Sequence, residues 1–545
     1  MEARRSGATR RWRWAGRMPG AGLWSFVTAS TVFLLLSWNS FHYWDEFFYL
    51  FAALAHSPRE LVRLDALATL GPSGFPTGYF TSKIGHVVLL RLLTQVFGTG
   101  ETALYLIQAI FALLLVGFGA VAYGLLRELL DDAQRARDAA IVLLFLPGTM
   151  YLSYKTLSEV PSLLLITLGC WGFLRSFRAA SRNRIGALLG LSAVALSLGT
   201  LCRVTAFVSF VGLVLALLAA GNVRFPRRAV LIRAAAVGGS TLLLVTLSLR
   251  LLGGSEFLPL GLAYQVATRP DAGLQRVYAL ALFLQTFALV LLFVPYRPWN
   301  IGIRLAMVWS VATALPFLAG HESRYYAPML IPLALLAATG LRRMADLLLG
   351  PGHRWGWIAV LAALVLVNRF LLLPLVVYDI DQSRLLSLMD RLTHGSSQAT
   401  YLLPWSSDYS LLRFAFPDQR IRLCLSETPE SRYQALGRPG PLGPLDQWWS
   451  GPDHYVGSLA ALTSLPRPWY YVGWTYLPTT LRLRDLLRRL GIHLLDDPTR
   501  LGFHNHLAGS WIWDDPALTL QPLGQEGQFH LYRVLLRAPR YDPGG

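Results

Sequence analysis

The stretch LWSFVTASTVFLLLSWNSFHY (23–43), followed at once by WDEFFYLFAALAHSPREL (44–61), decides the fold. Its first part holds about 20 mostly apolar residues, the length a helix needs to cross a bilayer. Its second part opens on two carboxylates and then repeats apolar residues at helical spacing, which predicts a helix lying along the membrane surface. Further apolar runs follow at approximately 102–126, 139–154, 157–175, 185–201, 204–221, 229–252, 277–295, 301–319, 325–341 and 355–375, eleven predicted spans in all. The third is short and contains Pro147. Spans 3/4, 5/6 and 9/10 are joined by so few residues that they read as tight helical hairpins.

Composition agrees. Of 545 residues, 54% are hydrophobic and 15% charged, with a mean hydropathy of +0.43. A soluble domain is about 45–50% apolar and about 25% charged, so a soluble or disordered chain is excluded. The net charge of +18 admits two readings: a nucleic-acid binder, or a membrane protein with cations gathered on its cytoplasmic face. Their placement decides. Residues 378–545 hold 16 Arg and 16 Asp/Glu, whereas the first 377 hold 31 Arg, 2 Lys and 15 Asp/Glu. With the N-terminus inside, 22 of those Arg fall on inner connections beside 6 acidic residues. The charge is therefore an orientation signal, and nucleic acid is not an expected partner. The expected protein is a polytopic α-helical inner-membrane protein with a cytoplasmic N-terminus. Residues 1–377 form its transmembrane domain, including a long outer loop 1 at 44–101, and residues 378–545 form an extracytoplasmic α/β domain. The first span lacks a small-residue cleavage site and reads as a retained anchor. Three cysteines make no disulfide framework, and no Asn-x-Ser/Thr occurs, which fits a bacterial chain.

In outer loop 1, SKIGHVVLLRLLTQVFG (82–98) is amphipathic and reads as a second surface helix or a shallow re-entrant one. In the outer domain, ATYLLPW (399–405), IRLCL (421–425) and WYYVGW (469–474) read as strands. LRLRDLLRRLG (481–491) reads as an amphipathic helix with a glycine stop. LTLQPLG (518–524) and QFHLYRVLL (528–536) read as a closing hairpin. Trp448, Trp449, Trp469 and Trp474 are either core and membrane-rim packing or a stacking surface for sugar or acceptor.

Chemistry-bearing residues collect at the outer face. Asp45 and Glu46 follow span 1, and a carboxylate there can take a proton from a hydroxyl; equally, the pair suits the start of a helix. His321, Glu322, Arg324 and Tyr325 lie in HESRYYAP between spans 9 and 10. Arg offers a planar fork for phosphate and Tyr a neutral donor, against the alternative of interfacial anchoring. Lys83 and Lys155 are the only lysines beside 47 arginines, and both fall outside. Glu159 stands four residues after Lys155, where an i, i+4 pair is the plainer reading. Arg203 joins spans 5 and 6 at the same level, and Arg269 and Asp271 lie in the loop 253–276, a candidate lid. Together these are the groups needed to bind a lipid phosphate and deprotonate an acceptor beside it. Asp379-Ile-Asp381 has the DxD form of nucleotide-sugar enzymes but lies outside the cell, where such donors are absent. No zinc-ligand spacing, phosphate-cradling glycine loop or nucleophile elbow occurs. No cofactor is called for, and a divalent metal is not indicated.

The acidic pair in WDEFFYL, the long outer loop 1, Ser158-Glu159-x-Pro161 at the start of span 4, and H-E-x-R-Y-x-x-P followed by PLALLAATGL resemble the GT-C membrane glycosyltransferases over roughly residues 20–345. The nearest groups are the protein O-mannosyltransferase-like and lipid A aminoarabinose transferase-like enzymes. The resemblance implies transfer of a sugar from a polyprenyl-phosphate carrier to an envelope acceptor (lipid, glycan or protein). It implies Asp45 as catalytic base with Glu46 as the second acid. It places Arg324, Tyr325 and Lys83 at the donor phosphate and Glu159 near the acceptor. On their own chemistry and level, His321 is a further phosphate donor, and Lys155 and Arg203 are acceptor-positioning candidates. The aminoarabinose transferases have 13 spans, so the span number departs from that subgroup. Two other readings remain. A flippase or transporter of lipid-linked glycans favours internal repeats and deep charges, and neither is seen. An O-antigen polymerase or ligase favours a large loop late in the span region, whereas the longest loop here is the first.

Overall fold

The computed structural model describes residues 20–67, 80–130, 132–221, 224–253, 279–281, 283–295, 301–314, 323–351, 353, 355–372, 380–395, 398–404, 406–424, 455–476, 478–491, 493, 496 and 510–537. The first half is helical: α1 (Gly20–Ser37), a two-residue strand β1 (Phe41–His42), α2 (Trp44–Ala55), α3 (Pro58–Leu67), α4 (Ile84–Phe97), α5 (Glu101–Leu130), α6 (Ala133–Phe145), α7 (Pro147–Leu152), α8 (Glu159–Ser176), α9 (Arg182–Cys202), α10 (Val208–Ala220) and α11 (Arg227–Leu251). Then come α12 (Phe287–Leu292), α13 (Ile301–Ala314), α14 (Leu330–Leu349) and α15 (Gly356–Val367).

Local chemistry sets the ends. The Asp132 carboxylate accepts from Gln134 N and Arg135 N at 3.0 Å, and Ser181 Oγ accepts from Arg184 N at 3.3 Å, so α6 and α9 start on capping side chains. Pro147 divides the third expected span. Proline drives the preceding residue out of the helical region, Leu146 adopts ψ 138°, and α6 stops at Phe145 before α7 resumes with Pro147 in its first turn. Close helix contacts use small residues: a Cβ on Gly169 of α8 would lie 2.6 Å from Leu196 of α9.

Among the described residues, Glu101–Leu130, Arg182–Cys202 and Arg227–Leu251 are long and apolar enough to cross a membrane, with Gly22–Ser37, Val204–Ala220, Ile301–Ala314 and Gly356–Phe370 as shorter apolar helices. On α11, Leu231, Ile232, Leu242, Leu243, Leu247 and Leu251 are exposed, an apolar flank suited to lipid rather than water.

The C-terminal part contains β2 (Ile380–Asp381), α16 (Gln382–Gly395), β3 (Thr400–Leu403), α17 (Ser406–Ala415), β4 (Arg420–Leu423), α18 (Leu459–Thr463), β5 (Trp469–Trp474), α19 (Pro478–Arg489), β6 (Leu518–Glu526) and β7 (Phe529–Leu536). Five strands form one sheet in the order β4-β3-β5-β7-β6. β3 runs parallel to β4 and β5, and β7 pairs antiparallel with β5 and β6. The strands coincide with the short apolar runs expected from sequence. Trp469 and Trp474 are core residues, each 2% exposed, which favours packing over a stacking surface for these two. Trp448, Trp449, Arg269, Asp271 and Asp379 lie outside the described residues.

The 44–61 stretch forms α2 and the start of α3, and Phe47 through Ala53 of α2 are all buried. Helix α17 covers it, with Tyr409 edge-on to Phe51 at 5.7 Å. β1 also pairs antiparallel with β2, and Gln108 and Gln382 exchange amide hydrogen bonds at 2.7 and 3.2 Å. The C-terminal part thus clamps the start of α2.

Candidate active site

Asp45 and Glu46 sit in the first turn of α2, one residue apart, and have different tasks. Glu46 is fully buried. Its Oε1 accepts from Tyr43 N at 2.9 Å, completing a capping box, while its Oε2 accepts from Thr156 N at 3.0 Å and meets His42 Nδ1 at 3.0 Å. Burial holds the His42 imidazole down to about 4, so near neutral pH the ring is uncharged. Glu46 therefore ties the connection before α8 to the head of α2. Lys155, on that connection, donates to Asn39 Oδ1 at 3.0 Å. Burial lowers its ammonium to about 8, against the pull of Glu46. Tyr154 beside it has φ +57°, a conformation that costs a non-glycine residue strain.

Asp45 points the other way. Both its oxygens accept from Arg324 Nη1 at 2.7 Å, and both residues are almost wholly buried. Arg324 comes from the 3-10 turn Ser323–Met329 that leads into α14. Its guanidinium lies 4.7 Å from the Tyr43 ring and 5.7 Å from that of Tyr325. Its Nε lies 3.6 Å from Glu159 Oε1, which also meets Arg203 Nη1 at 3.0 Å. Ser158 Oγ donates to Glu159 Oε2 at 3.1 Å, and Arg203 stacks over Tyr325 at 5.2 Å. Lys83, in the turn before α4, donates to Tyr49 Oη at 2.5 Å and lies over that ring. Burial lowers Lys83 to about 8, with Asp45 and Glu159 pulling up and Arg203 and Arg324 pushing down.

Thus Asp45, Lys83, Glu159, Arg203, Arg324 and Tyr325 form one constellation, drawn from the segment between α1 and α5, the head of α8, the α9–α10 junction and the turn before α14. Lys155 and Glu46 lie just behind it. His321 and Glu322 lie outside the described residues. The five charged members at the front are three cations and two carboxylates, all buried. Such a site is short of one negative charge, and the single negative charge of a phosphodiester brought among these donors would supply it.

Sequence reasoning missed Tyr43, Tyr49 and His86. Tyr49 stands four residues after Asp45 on α2, hence on the same face, and His86 stands three after Lys83. His86 is fully buried, edge-on to Tyr49 and Phe111 at 5.7 and 5.8 Å, and burial pushes its imidazole down to about 3. Gly85 between them admits the backbone of α9: a Cβ there would lie 2.9 Å from Cys202 N and Leu201 C. Asp381 caps α16 through Arg384 and pairs with β1, so it serves the clamp. Among the described residues, no group of three His, Cys, Asp or Glu could hold a metal ion.

Residues 84–250, from α4 through α11, match the family model described as dolichyl-phosphate-mannose-protein mannosyltransferase. The solved structure of ArnT from Cupriavidus metallidurans in the apo state aligns with TM-score 0.50 and 14% identity, covering 94% of this chain and 98% of that one. The same protein bound to undecaprenyl phosphate aligns with TM-score 0.52 and 13% identity over the same shares. No curated protein sequence matches the chain. The chain shares the overall fold of that protein.

Proposed function

We propose that this GT-C chain is an integral membrane glycosyltransferase that moves a sugar from a polyprenyl-phosphate carrier to an envelope acceptor at the outer face. The observation that carries the reading is the buried Asp45–Arg324 pair with Lys83, Glu159 and Arg203 around it. The family match over residues 84–250 and the fold shared with a protein solved with undecaprenyl phosphate support it. On this reading residues 1–377 are the transferase unit and 378–545 the outer domain that clamps α2. The N-terminus lies in the cytoplasm and the outer domain across an inner membrane.

The carrier phosphate would compete with Asp45 for Arg324 and take up Lys83. Asp45, released, accepts the proton of an acceptor hydroxyl. The acceptor oxygen forms its bond to the anomeric carbon as the bond from that carbon to the phosphate oxygen breaks. The leaving polyprenyl phosphate keeps the electron pair, and Arg324, Lys83 and Tyr325 stabilise its charge. A single displacement inverts the anomeric centre. Arg203 and Glu159 hold Arg324 and the acceptor side in place. Glu46 and Lys155 fix the backbone that carries them.

The test is transfer in proteoliposomes holding purified full-length protein, a polyprenyl-phosphate sugar and an envelope extract. Mass spectrometry of envelope glycans and lipids with and without the gene would identify sugar and acceptor. Wild-type protein should release polyprenyl phosphate and form one new glycoconjugate, and Asp45→Asn should not. Movement of the intact lipid-linked sugar across the bilayer without a new glycosidic bond would refute transfer and favour a flippase.

A further inference from the structure

A second charged site lies at the far ends of the same helices. Between the start of α6, the residues entering α13 and the last turns of α14 there is a cavity of about 380 Å³. Apolar side chains such as Ile303 and Leu335 line it together with three arginines, Arg135, Arg342 and Arg343, and two aspartates, Asp138 and Asp346. Arg342 stands 12 residues into α14, about 18 Å along the helix from the end that receives Arg324. The cavity is therefore remote from the Asp45 constellation, on the face that the arginine pattern assigns to the cytoplasm.

The charged lining is organised. Asp138 is 1% exposed. Its Oδ1 accepts from Arg137 Nε and Nη2 at 3.2 Å, and its Oδ2 accepts a close hydrogen bond from Arg342 Nη2. One buried carboxylate thus holds two guanidiniums that would otherwise repel. Arg135 is engaged by Asp132 at 3.2 Å. Arg343 is exposed and meets no carboxylate among the described residues. Lining cations outnumber lining carboxylates by one. Guanidiniums beside apolar side chains, in a cavity at the end of membrane helices, suit a phosphate whose attached chains run into the hydrocarbon layer.

We propose that this cavity binds a phosphate group, supplied by an anionic glycerophospholipid of the inner leaflet, with Arg342 and Arg343 on the headgroup and Leu335 and Ile303 against its chains. The site is separate from the transferase constellation and does not depend on that reading. A free phosphate ester shares the headgroup chemistry, and the experiment separates the two sources. Purified full-length protein in phosphatidylcholine micelles is titrated with phosphatidylglycerol and followed by native mass spectrometry. In parallel, millimolar inorganic phosphate is added in a thermal-unfolding assay. Arg343→Gln is the main variant, since an exposed side chain can be changed without disturbing Asp138; Arg343→Lys keeps the charge.

Phosphatidylglycerol should be retained in preference to phosphatidylcholine. Arg343→Gln should weaken that retention about fivefold, as about 1 kcal/mol per surface cation implies, and Arg343→Lys should restore most of it. Stabilisation by inorganic phosphate that needs Arg343, without a lipid preference, would keep the phosphate site and assign its source to a soluble ester. Equal retention of both lipids together with no Arg343-dependent effect of phosphate, in a variant that melts like wild type, would overturn the proposal.

Discussion

Replacing Asp45 with Asn separates a catalytic base from a structural anion. Both Asp45 oxygens accept from Arg324 Nη1 at 2.7 Å in a buried setting. Asparagine keeps the shape and one acceptor but cannot take a proton, so turnover should fall by about 10²–10⁴, the usual contribution of a general base. The fold should survive, because Arg324 still has Glu159 at 3.6 Å and the face of Tyr43. Carrier binding should move in the opposite direction. A charged hydrogen bond contributes about 1.5–3 kcal/mol, and the carrier phosphate must displace one to reach Arg324. Removing the competitor should tighten carrier binding about tenfold, equivalent to about 1.4 kcal/mol. The assay pairs single-turnover transfer with equilibrium binding of polyprenyl phosphate to the same reconstituted protein. If binding weakens in step with turnover, or turnover stays within about tenfold of wild type, Asp45 is not the base and the competition argument fails.

Other outcomes follow from the same geometry. Arg324→Ala removes the guanidinium that both Asp45 oxygens meet, so it should lose about 3–5 kcal/mol of stability along with carrier binding; unchanged melting and affinity would contradict both. Glu46→Ala strands the Tyr43 and Thr156 amides and should cost at least about 2 kcal/mol, readable as a lower melting temperature. On the proposed reading Lys83 would meet the phosphate as a cation, and burial holds it near 8. Carrier affinity should therefore hold below pH 8 and fall as pH rises through it, and Lys83→Arg should move that fall to higher pH. Gly85→Ala drives a Cβ into the α9 backbone; it should displace Lys83 and lower carrier affinity more than a surface Gly→Ala in α11 such as Gly238→Ala, where the space is open.

Much of the helix and strand pattern was legible because periodicity and hydropathy are local. The strands at 400–403, 420–423 and 469–474 and the hairpin at 518–536 stand where short apolar runs predict them. Pro147 could be read as a disturbance, but that it ends one helix and begins another needs the backbone. The amphipathic pattern of 44–61 predicts a helix with one apolar face, and periodicity is silent on what covers the other. That α17, over 350 residues later, covers the other face is not a local property.

The site divides in the same way. Residue type and predicted level in the membrane were enough to bring Asp45, Lys83, Glu159, Arg203, Arg324 and Tyr325 forward as candidates, because ionisable groups there are costly without a use. Neither could say that Asp45 and Arg324, 279 positions apart, share two hydrogen bonds. Nor could they tell the two adjacent acids apart. By itself the sequence determined a membrane-spanning chain, its charge asymmetry and the inventory of one face, since these follow from composition and order. Only the tertiary structure decided that Glu46 caps and tethers while Asp45 meets the cations, because successive residues on a helix point about 100° apart and what each one meets depends on distant segments.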